Sequence, residues 1–334
     1  MPVACVRALG AYLPPRVVDN ESVCASIDST PEWISSRTGI ETRRVVDAGV
    51  ATSDVATEAA RRALDAFGSD PVDMVVLATA TPDYISPPTA PLVAHALGLG
   101  PIPAFDVSAA CSGFLYGLSV AAAMISAGTA QRILFVCAET ASAFTDPGDR
   151  DTAAIFADGA AAVILEATEN VDAAGVLGSF VLGSEGRCAD LVMIPGSGAR
   201  DRADGTLGFT TPFITMDGKP LFVQAVTRMS EAVRDVAARE GLDLDDIALF
   251  VPHQANGRII ESVADELEID PDRVVVTIDH TGNTIAASIP LALAEAAAGG
   301  RLSAGDRVML TAFGAGASWG ATTFVWPDIA VAAS

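Results

Sequence analysis

Three residues of this chain, Cys111, His253 and Asn283, have types and settings that could do chemistry together. Cys111 stands in AFDVSAACSGFLYGLSVAAAMISAG, where an apolar strand runs through small residues into a long hydrophobic helix. A helix N-terminus offers free N–H groups and partial positive charge, and both lower a thiol's pKa and favour the reactive thiolate. Ser112 and Gly113 keep the approach uncrowded. Cys111 can therefore be a nucleophile; it can also be a small core residue, as most cysteines in apolar surroundings are. The other four cysteines, Cys5, Cys24, Cys137 and Cys188, lack this setting, and Cys137 reads as the buried end of a strand.

His253 lies in LFVPHQANGRII, where a strand ends in proline and a polar cluster before a helix begins, the place where α/β folds put chemistry. Of the three histidines available as bases near neutral pH, His95 sits on a helix face in APLVAHALGL and His280 supports a turn. Catalysis and helix capping both remain open for His253. Asn256 could hydrogen-bond a ligand there or cap the helix. Asn283, in DHTGNTIAASIPLAL, has a capping reading as well, since Asn is a preferred N-cap residue. The glycine-rich AFGAGASWG falls between two strands and suits close approach of backbone to a ligand, with an N–H for an oxyanion. A phosphate loop is the competing reading, weakened because no helix and no Walker lysine follow.

The elements that must position these residues alternate. The pattern predicts strands at Met74–Thr79, Ala104–Val107, Ile133–Cys137, Ala161–Leu165, Ala248–Val251, Val274–Ile278, Val308–Thr311 and Thr322–Val325. Helices are expected at Ser53–Phe67, Ala90–Leu97, Ser112–Ala127, Phe222–Arg239, Gly257–Leu267 and Ala286–Ala298. The order helix, MVVLAT, helix, AFDV, Cys111 turn, helix, RILFVC, GAAAVILEA recurs as helix, ALFVP, helix, VVVTI, Asn283 turn, helix, RVMLTAF, GATTFVW. One unit is spelled twice, which sets Cys111 and Asn283 on equivalent strand-to-helix turns facing one crevice.

Composition narrows the chemistry. With 334 residues, half of them hydrophobic, the chain can bury a large core in one domain or two packed halves. Twenty basic against 42 acidic residues, Lys219 being the sole lysine, give a net charge of −22 and disfavour nucleic acid and anionic membranes as partners. Five scattered cysteines without a CxxC pair argue against a disulfide framework and against a zinc site, so no metal is expected. The N-terminus lacks a signal-peptide pattern and no run reaches the roughly 18 apolar residues of a membrane span, so a cytoplasmic location is expected.

The segments SAACSGF, VPHQANGRII, HTGNTIAAS and AFGAGASWG, with PEWISSRTGI and DRDTAAIFADGAAAV, resemble β-ketoacyl-acyl-carrier-protein synthase III, a condensing-enzyme family of the thiolase superfamily. The resemblance spans nearly the whole chain. It implies an α/β thiolase-like duplicated fold, layered αβαβα with two mixed five-stranded sheets, in halves 1–170 and 171–334. It implies that Cys111 accepts an acyl group from acyl-CoA, a substrate rather than a resident cofactor, and that His253 and Asn283 stabilise the enolate left when malonyl-acyl carrier protein loses carbon dioxide. The backbones of Cys111 and Ala315 would form the oxyanion hole. Trp33 and Arg150 would clamp the CoA adenine, Arg37 and Arg258 would meet its phosphates, and Asn256 and Phe222 would line the pantetheine channel. Ala141, Ala153, Ala154, Ile155 and Phe156 would form the acyl pocket of a homodimeric enzyme, with TPDYISPPTAP capping the partner's pocket.

This sequence departs from the family at instructive places. Ala315 replaces the middle glycine of a triplet, keeping its N–H. Ala141, Ala153 and Ala154 stand where larger aliphatics are common, which points to a bulkier primer at about 0.8 kcal/mol per methylene refilled. The helix GRIIESVADELEID carries Asp265, Glu266 and Glu268 where relatives carry lysines, which would slow docking of an acidic carrier protein and leave Arg258, Arg228 and Lys219 to attract it. Decarboxylating condensation is thus the main expectation. Acyl transfer to a small acceptor without decarboxylation is the alternative, and a silent partner subunit is disfavoured by retention of all three residues. A thiolase is disfavoured by the missing second cysteine, and a chalcone-synthase relative by VPHQAN.

Overall fold

The computed structural model describes residues 1–196, 198–206 and 208–334. The strands of its two large sheets are β1 (Val3–Tyr12), β2 (Met74–Ala78), β3 (Ala104–Val107), β4 (Arg132–Thr140), β5 (Asp158–Thr168), β6 (Leu177–Ser184), β7 (Leu249–Pro252), β8 (Arg307–Gly314), β9 (Ser318–Val325) and β10 (Val331–Ala332). The helices that matter here are α1 (Pro31–Thr38), α2 (Thr52–Phe67), α3 (Ala90–Ala96), α4 (Gly113–Ser126), α5 (Gly218–Glu240), α6 (Gly257–Glu266) and α7 (Ser288–Ala298). One sheet has the order β10-β1-β5-β4-β2-β3 and another β7-β8-β9-β6, each mixing parallel and antiparallel ladders.

Hydrophobic patterning sets the layers. Helices α4 (GFLYGLSVAAAMIS) and α7 (SIPLALAEAAA) are apolar nearly all round, as a helix buried on every side must be. Their Phe114, Leu118, Ile289 and Leu293 share one core with Leu9 and Val163 of the first sheet and Val308 and Leu310 of the second. The two helices form the middle layer. Helices α2 and α3 cover the outer face of the first sheet, and α5 and α6 that of the second. The approach of α2 to β1 is so close that a Cβ on Gly10 would fall onto the Ala63 backbone.

The α/β thiolase-like architecture therefore holds, but the strand tally differs from five and five. The first sheet gains β10, which pairs parallel to β1. The second has four strands because Val274–Ile278 forms only an isolated bridge to Phe250. The cause is Gln254. Its side-chain oxygen accepts from the N–H groups of Thr277 (2.8 Å) and Ile278 (3.2 Å), and its Nε2 donates to Val275 O (3.1 Å). A buried amide thus replaces the ladder bonds of a fifth strand. Strands β1 and β6, absent from the sequence expectation, are rich in Ala, Gly and Ser and lack a clear alternation.

The internal repeat acquires a register. A constant spacing of 175 residues separates Met74 from Leu249 at the starts of β2 and β7, and Arg132 from Arg307 at the starts of β4 and β8. The same spacing separates Ala110 (φ 45°) from Ile285 (φ 49°), two left-handed non-glycine residues that open the short 3-10 turns Ala110–Ser112 and Ile285–Ala287 ahead of α4 and α7. The counterpart of Cys111 is accordingly Ala286. Asn283 lies three residues upstream in the same turn and answers to Ser108, a correction to the expected equivalence.

Candidate active site

The two turns and the ends of β2, β7 and β8 converge on a cavity of about 570 Å³. Cys111, His253, Asn283 and Ala315 all line it, so the four residues expected to carry the chemistry meet in one place. Cys111 is carried on the tight turn before α4, and Gly314 makes room for it. A Cβ on Gly314 would lie 2.7 Å from Cys111 N and 3.0 Å from Ser112 N. Ser112 Oγ donates to Ser318 O (2.8 Å), and Ser318 Oγ donates to Ala109 O (3.2 Å), tying this turn to the glycine-rich segment.

Burial, followed by the nearby Glu139 carboxylate, pushes Cys111 up to about 12, while its own backbone N–H acts in the opposite direction. The shift runs opposite to the lowered pKa expected, and desolvation is its largest cause.

His253 is 1 % exposed and follows directly on β7, its N–H bonded to Thr311 O (2.8 Å). Its Nδ1 lies 2.6 Å from Ser288 Oγ, and that oxygen also accepts from Gln254 N (3.2 Å). The Gln254 N–H takes one of the two lone pairs of Oγ, and in one of the two tautomers open to the ring the serine proton goes to Nδ1. The neutral ring then carries its hydrogen on Nε2, which is buried without a hydrogen-bond partner. Burial alone drives its pKa down to about 3. Asn283 is fixed by its backbone: its N–H donates to Ile155 O (3.0 Å) and its carbonyl accepts from Ala157 N (2.9 Å). Its Oδ1 accepts from Ile285 N (2.9 Å), leaving Nδ2 with one long contact of 3.4 Å to Ala255 O. The cavity therefore receives two N–H donors, His253 Nε2 and Asn283 Nδ2, opposite a soft sulfur nucleophile.

Of the residues expected to hold CoA, Trp33, Arg37, Arg150 and Arg258 do not line the cavity. Arg150 stacks its guanidinium 4.0 Å from the centre of the Trp33 ring. Arg37 ends α1 and Arg258 begins α6, both exposed, and these helix ends touch, since a Cβ on Gly257 would lie 3.3 Å from Gly39 Cα. Phe222 of α5 and Asn256 line the cavity, and Asn256 also caps α6 by accepting from Arg258 N (2.9 Å).

The acyl-pocket set divides. Ile155 and Phe156 line the cavity; Ala141, Ala153 and Ala154 do not. Ala153 and Ala154 face the other way, onto Ile27, Ile34 and Trp33, and Ala141 is buried against the second-sheet core. The small-residue walls are instead Ala80, Ala189 and Ala225, with Met193, Ile214 and Met229 beside them. Sequence reasoning also missed Ser288, Gln254, Gly314 and Glu139. Ser288 looks like an ordinary helix start two residues before Pro290, and nothing in a linear reading couples it to His253, 35 residues away. Among the described residues no group of His, Cys, Asp and Glu could hold a metal ion, and no helix is long and apolar enough to cross a membrane.

Comparison with known proteins identifies the family. Residues 105–186 match the family model for 3-oxoacyl-[acyl-carrier-protein] synthase III, and residues 237–326 match that for its C-terminal part. The chain is 50 % identical over 325 residues to β-ketoacyl-[acyl-carrier-protein] synthase III 5 of Streptomyces coelicolor, covering 97 % of each. It superposes on 3-oxoacyl-(acyl carrier protein) synthase III of Pseudomonas aeruginosa with a TM-score of 0.92 at 45 % identity, over 98 % of this chain and 99 % of that one. The priming β-ketosynthase of a polyketide biosynthetic pathway matches with a TM-score of 0.90 at 35 % identity, over 98 % and 97 %. The chain belongs to the β-ketoacyl-acyl-carrier-protein synthase III family and is an acyl-transferring condensing enzyme.

Proposed function

We propose that the chain primes fatty-acid or polyketide synthesis by moving an acyl group from acyl-CoA onto Cys111 and condensing it with malonyl-acyl carrier protein. In the first half-reaction Sγ attacks the thioester carbonyl, and the backbone N–H groups of Cys111 and Ala315 receive the developing oxyanion. The CoA sulfur leaves with the proton that the thiol gives up. In the second, the malonyl C–C bond breaks, carbon dioxide departs, and the electron pair moves onto the thioester oxygen. His253 Nε2–H and Asn283 Nδ2–H bind that oxygen more tightly as its charge grows, so no base is needed. The enolate carbon then attacks the acyl carbonyl and Cys111 leaves as the thiolate.

The observation that carries this reading is the unpartnered, buried Nε2 of His253 beside Asn283 and Cys111. Arg150 on Trp33 supports an adenine clamp, and Arg37 and Arg258 support phosphate contacts. Tyr84 and Ile85, 59 % and 76 % exposed in the TPDYISPPTAP loop, support a homodimer in which they are covered. A cytoplasmic location goes with these soluble substrates.

One observation favours the second reading, acyl transfer to a small acceptor. The outer face of α6 is acidic, Glu266 engages Arg234 at 3.0 Å, and Arg228 is occupied by Glu231 (3.0 Å) and stacked 4.7 Å from the Trp319 ring. Arg258 and Lys219 are left as exposed cations near the mouth. Intact-mass measurement after incubation with an acyl-CoA panel should show adducts on Cys111; their absence from every acyl-CoA would remove both readings. Addition of malonyl-carrier protein should then release carbon dioxide and a ketoacyl product. An adduct discharged only by a small alcohol or amine would select the second.

A further inference from the structure

Arg43 is among the largest side chains fully enclosed by the protein, and the reaction above makes no use of it. It lies in TRRV, the Thr42–Val45 strand that pairs antiparallel with Arg16–Asp19 in a small hairpin. Its Nη1 donates to Val18 O (3.2 Å), and its Nη2 donates to Asn20 Oδ1 (2.6 Å) and to Ala154 O (3.1 Å). All three acceptors are neutral. Burial lowers the pKa of Arg43 to about 10, which still leaves it charged at neutral pH. A buried cation is a poor way to fill space, since an apolar side chain of similar volume does so without the desolvation. What the guanidinium adds is a planar fork that fixes the direction of each oxygen it meets.

Arg43 meets the Asn283 turn from two sides. Ala154 O, which it holds, is one peptide from the Ile155 carbonyl that accepts from Asn283 N (3.0 Å), and Ala157 N returns a bond to Asn283 O (2.9 Å). Phe156 and Asn283 thereby form a parallel bridge, and Ile155 and Phe156 are cavity wall. On the other side Gly282, left-handed at φ 71°, is pinched between Arg43 and Ala157. A Cβ there would lie 2.9 Å from Arg43 Cβ and 2.7 Å from Ala157 Cβ. The chain beside Arg43 also grips the residues ahead of Gly282, with Glu41 N donating to Asp279 O (2.7 Å) and Thr42 Oγ1 to His280 O (3.2 Å). The Asn283 side chain is bonded to Ile285 N and makes only a long contact to Ala255 O, so the aim of Nδ2 follows this backbone.

We propose that Arg43 is a positioning residue for decarboxylation: its fork clamps Ala154, its stem braces Gly282, and the bridge held between them points Asn283 Nδ2–H at the thioester oxygen on which charge develops. The Cys111 turn is tied instead to Ser318. A displacement of about 1 Å at a reacting group lowers a rate by up to about 10², so loss of the brace is felt in the step that uses Asn283. The inference rests on the roles proposed above for Cys111 and Asn283.

The test compares the two half-reactions in Arg43→Met, which keeps most of the stem and removes the fork. Carbon dioxide release from malonyl-carrier protein by the acylated enzyme should fall by about 10 to 10². Acylation of Cys111 at saturating acyl-CoA, followed by intact mass, should stay within about threefold of the parent. In an Asn283→Ala background the same substitution should change carbon dioxide release less than about twofold, because no donor is left to aim. Equal loss in both steps, unchanged decarboxylation, or a full additional loss on top of Asn283→Ala would overturn the proposal. A parent that releases no carbon dioxide removes the proposed function and this inference with it; a normal parent and a defective Asn283→Ala beside an unaffected Arg43→Met remove this inference alone. Should Arg43→Met not fold, Asn20→Ala, which takes away the 2.6 Å acceptor of Nη2, carries the test: decarboxylation should fall selectively, and a loss shared equally by both steps overturns the proposal.

Discussion

The turn that carries Cys111 and the turn that carries Asn283 have the same backbone, down to a left-handed residue at Ala110 and at Ile285, and opposite contents. Where the first has Cys111 the second has Ala286. Where the second has Ser288 bonded to His253 at 2.6 Å, the first has Gly113, whose Cβ would meet Ala78 Cβ at 3.2 Å, and Ala78 is the counterpart of His253. Where the first half has Glu139 near the end of β4, the second has Gly314 at the end of β8. Each pair keeps one polar and one small member. A duplicated scaffold has thus been divided so that one copy supplies the nucleophile and the other the donors, both aimed into a single cavity.

This division can be broken at each pair. The largest effect should come from Cys111→Ala, which leaves no acyl adduct by intact mass. Gly314→Ala should come next: its Cβ, 2.7 Å from Cys111 N, occupies the space of the oxyanion, and acylation should fall by about 10² to 10³, as for loss of an oxyanion donor. Asn283→Ala should leave acylation largely intact and lose decarboxylation, measured as carbon dioxide released from malonyl-carrier protein; equal loss in both steps would erase the distinction between the turns. Ser288→Ala, which copies the small partner of the first half, should free Nδ1 to take the proton and lower condensation about tenfold or more, with Ser288→Thr restoring it. Nitrogen-15 NMR of His253 should report the Nε2–H tautomer in the parent and a mixture in Ser288→Ala.

Two effects of pH sharpen the picture at smaller amplitude. His253 has its folded pKa lowered to about 3 from an ordinary 6.5, so the unfolded state binds its proton first. Stability from this burial is present above pH 6.5 and is lost as pH falls from 6.5 toward 3. His280 shows the reverse. Bonded to Asp279 and Glu295, each at 2.9 Å, it is raised to about 10, so its contribution is complete below pH 6.5 and is lost as pH rises through about 10. His280→Ala should therefore lower the Tm slightly at pH 6 and not at all above pH 10, the pair being half exposed and screened.

Much of this was legible in the sequence. Long periodic helices and β-branched strands announce themselves, and the order of MVVLAT, AFDV, RILFVC and their second copies displays the duplication. Cys111, His253, Asn283 and Ala315 stand out because small and polar residues cluster at strand ends. The register of the repeat was legible only to within a turn, since Asn283 rather than Ala286 bears the functional group. Val274–Ile278 reads as a strand by composition, and only the folded position of the Gln254 amide denies it the ladder. The family resemblance put Ala153 and Ala154 in the acyl pocket, yet they pack with Ile27, Ile34 and Trp33. Direction of a side chain in an irregular segment is set by long-range contacts that no local pattern encodes.

The backbone of Asn283 is stitched to Ile155 and Ala157, so the donor supplied by one half is held in place by the other. Neither half contains a finished site. If the chain were expressed as two fragments divided between β5 and β6, activity at low concentration should rise with the product of the two fragment concentrations, and each fragment alone should be inert. The same stitching makes the two copies inseparable partners: a change in one is answered in the other within a single molecule, without waiting for a second subunit.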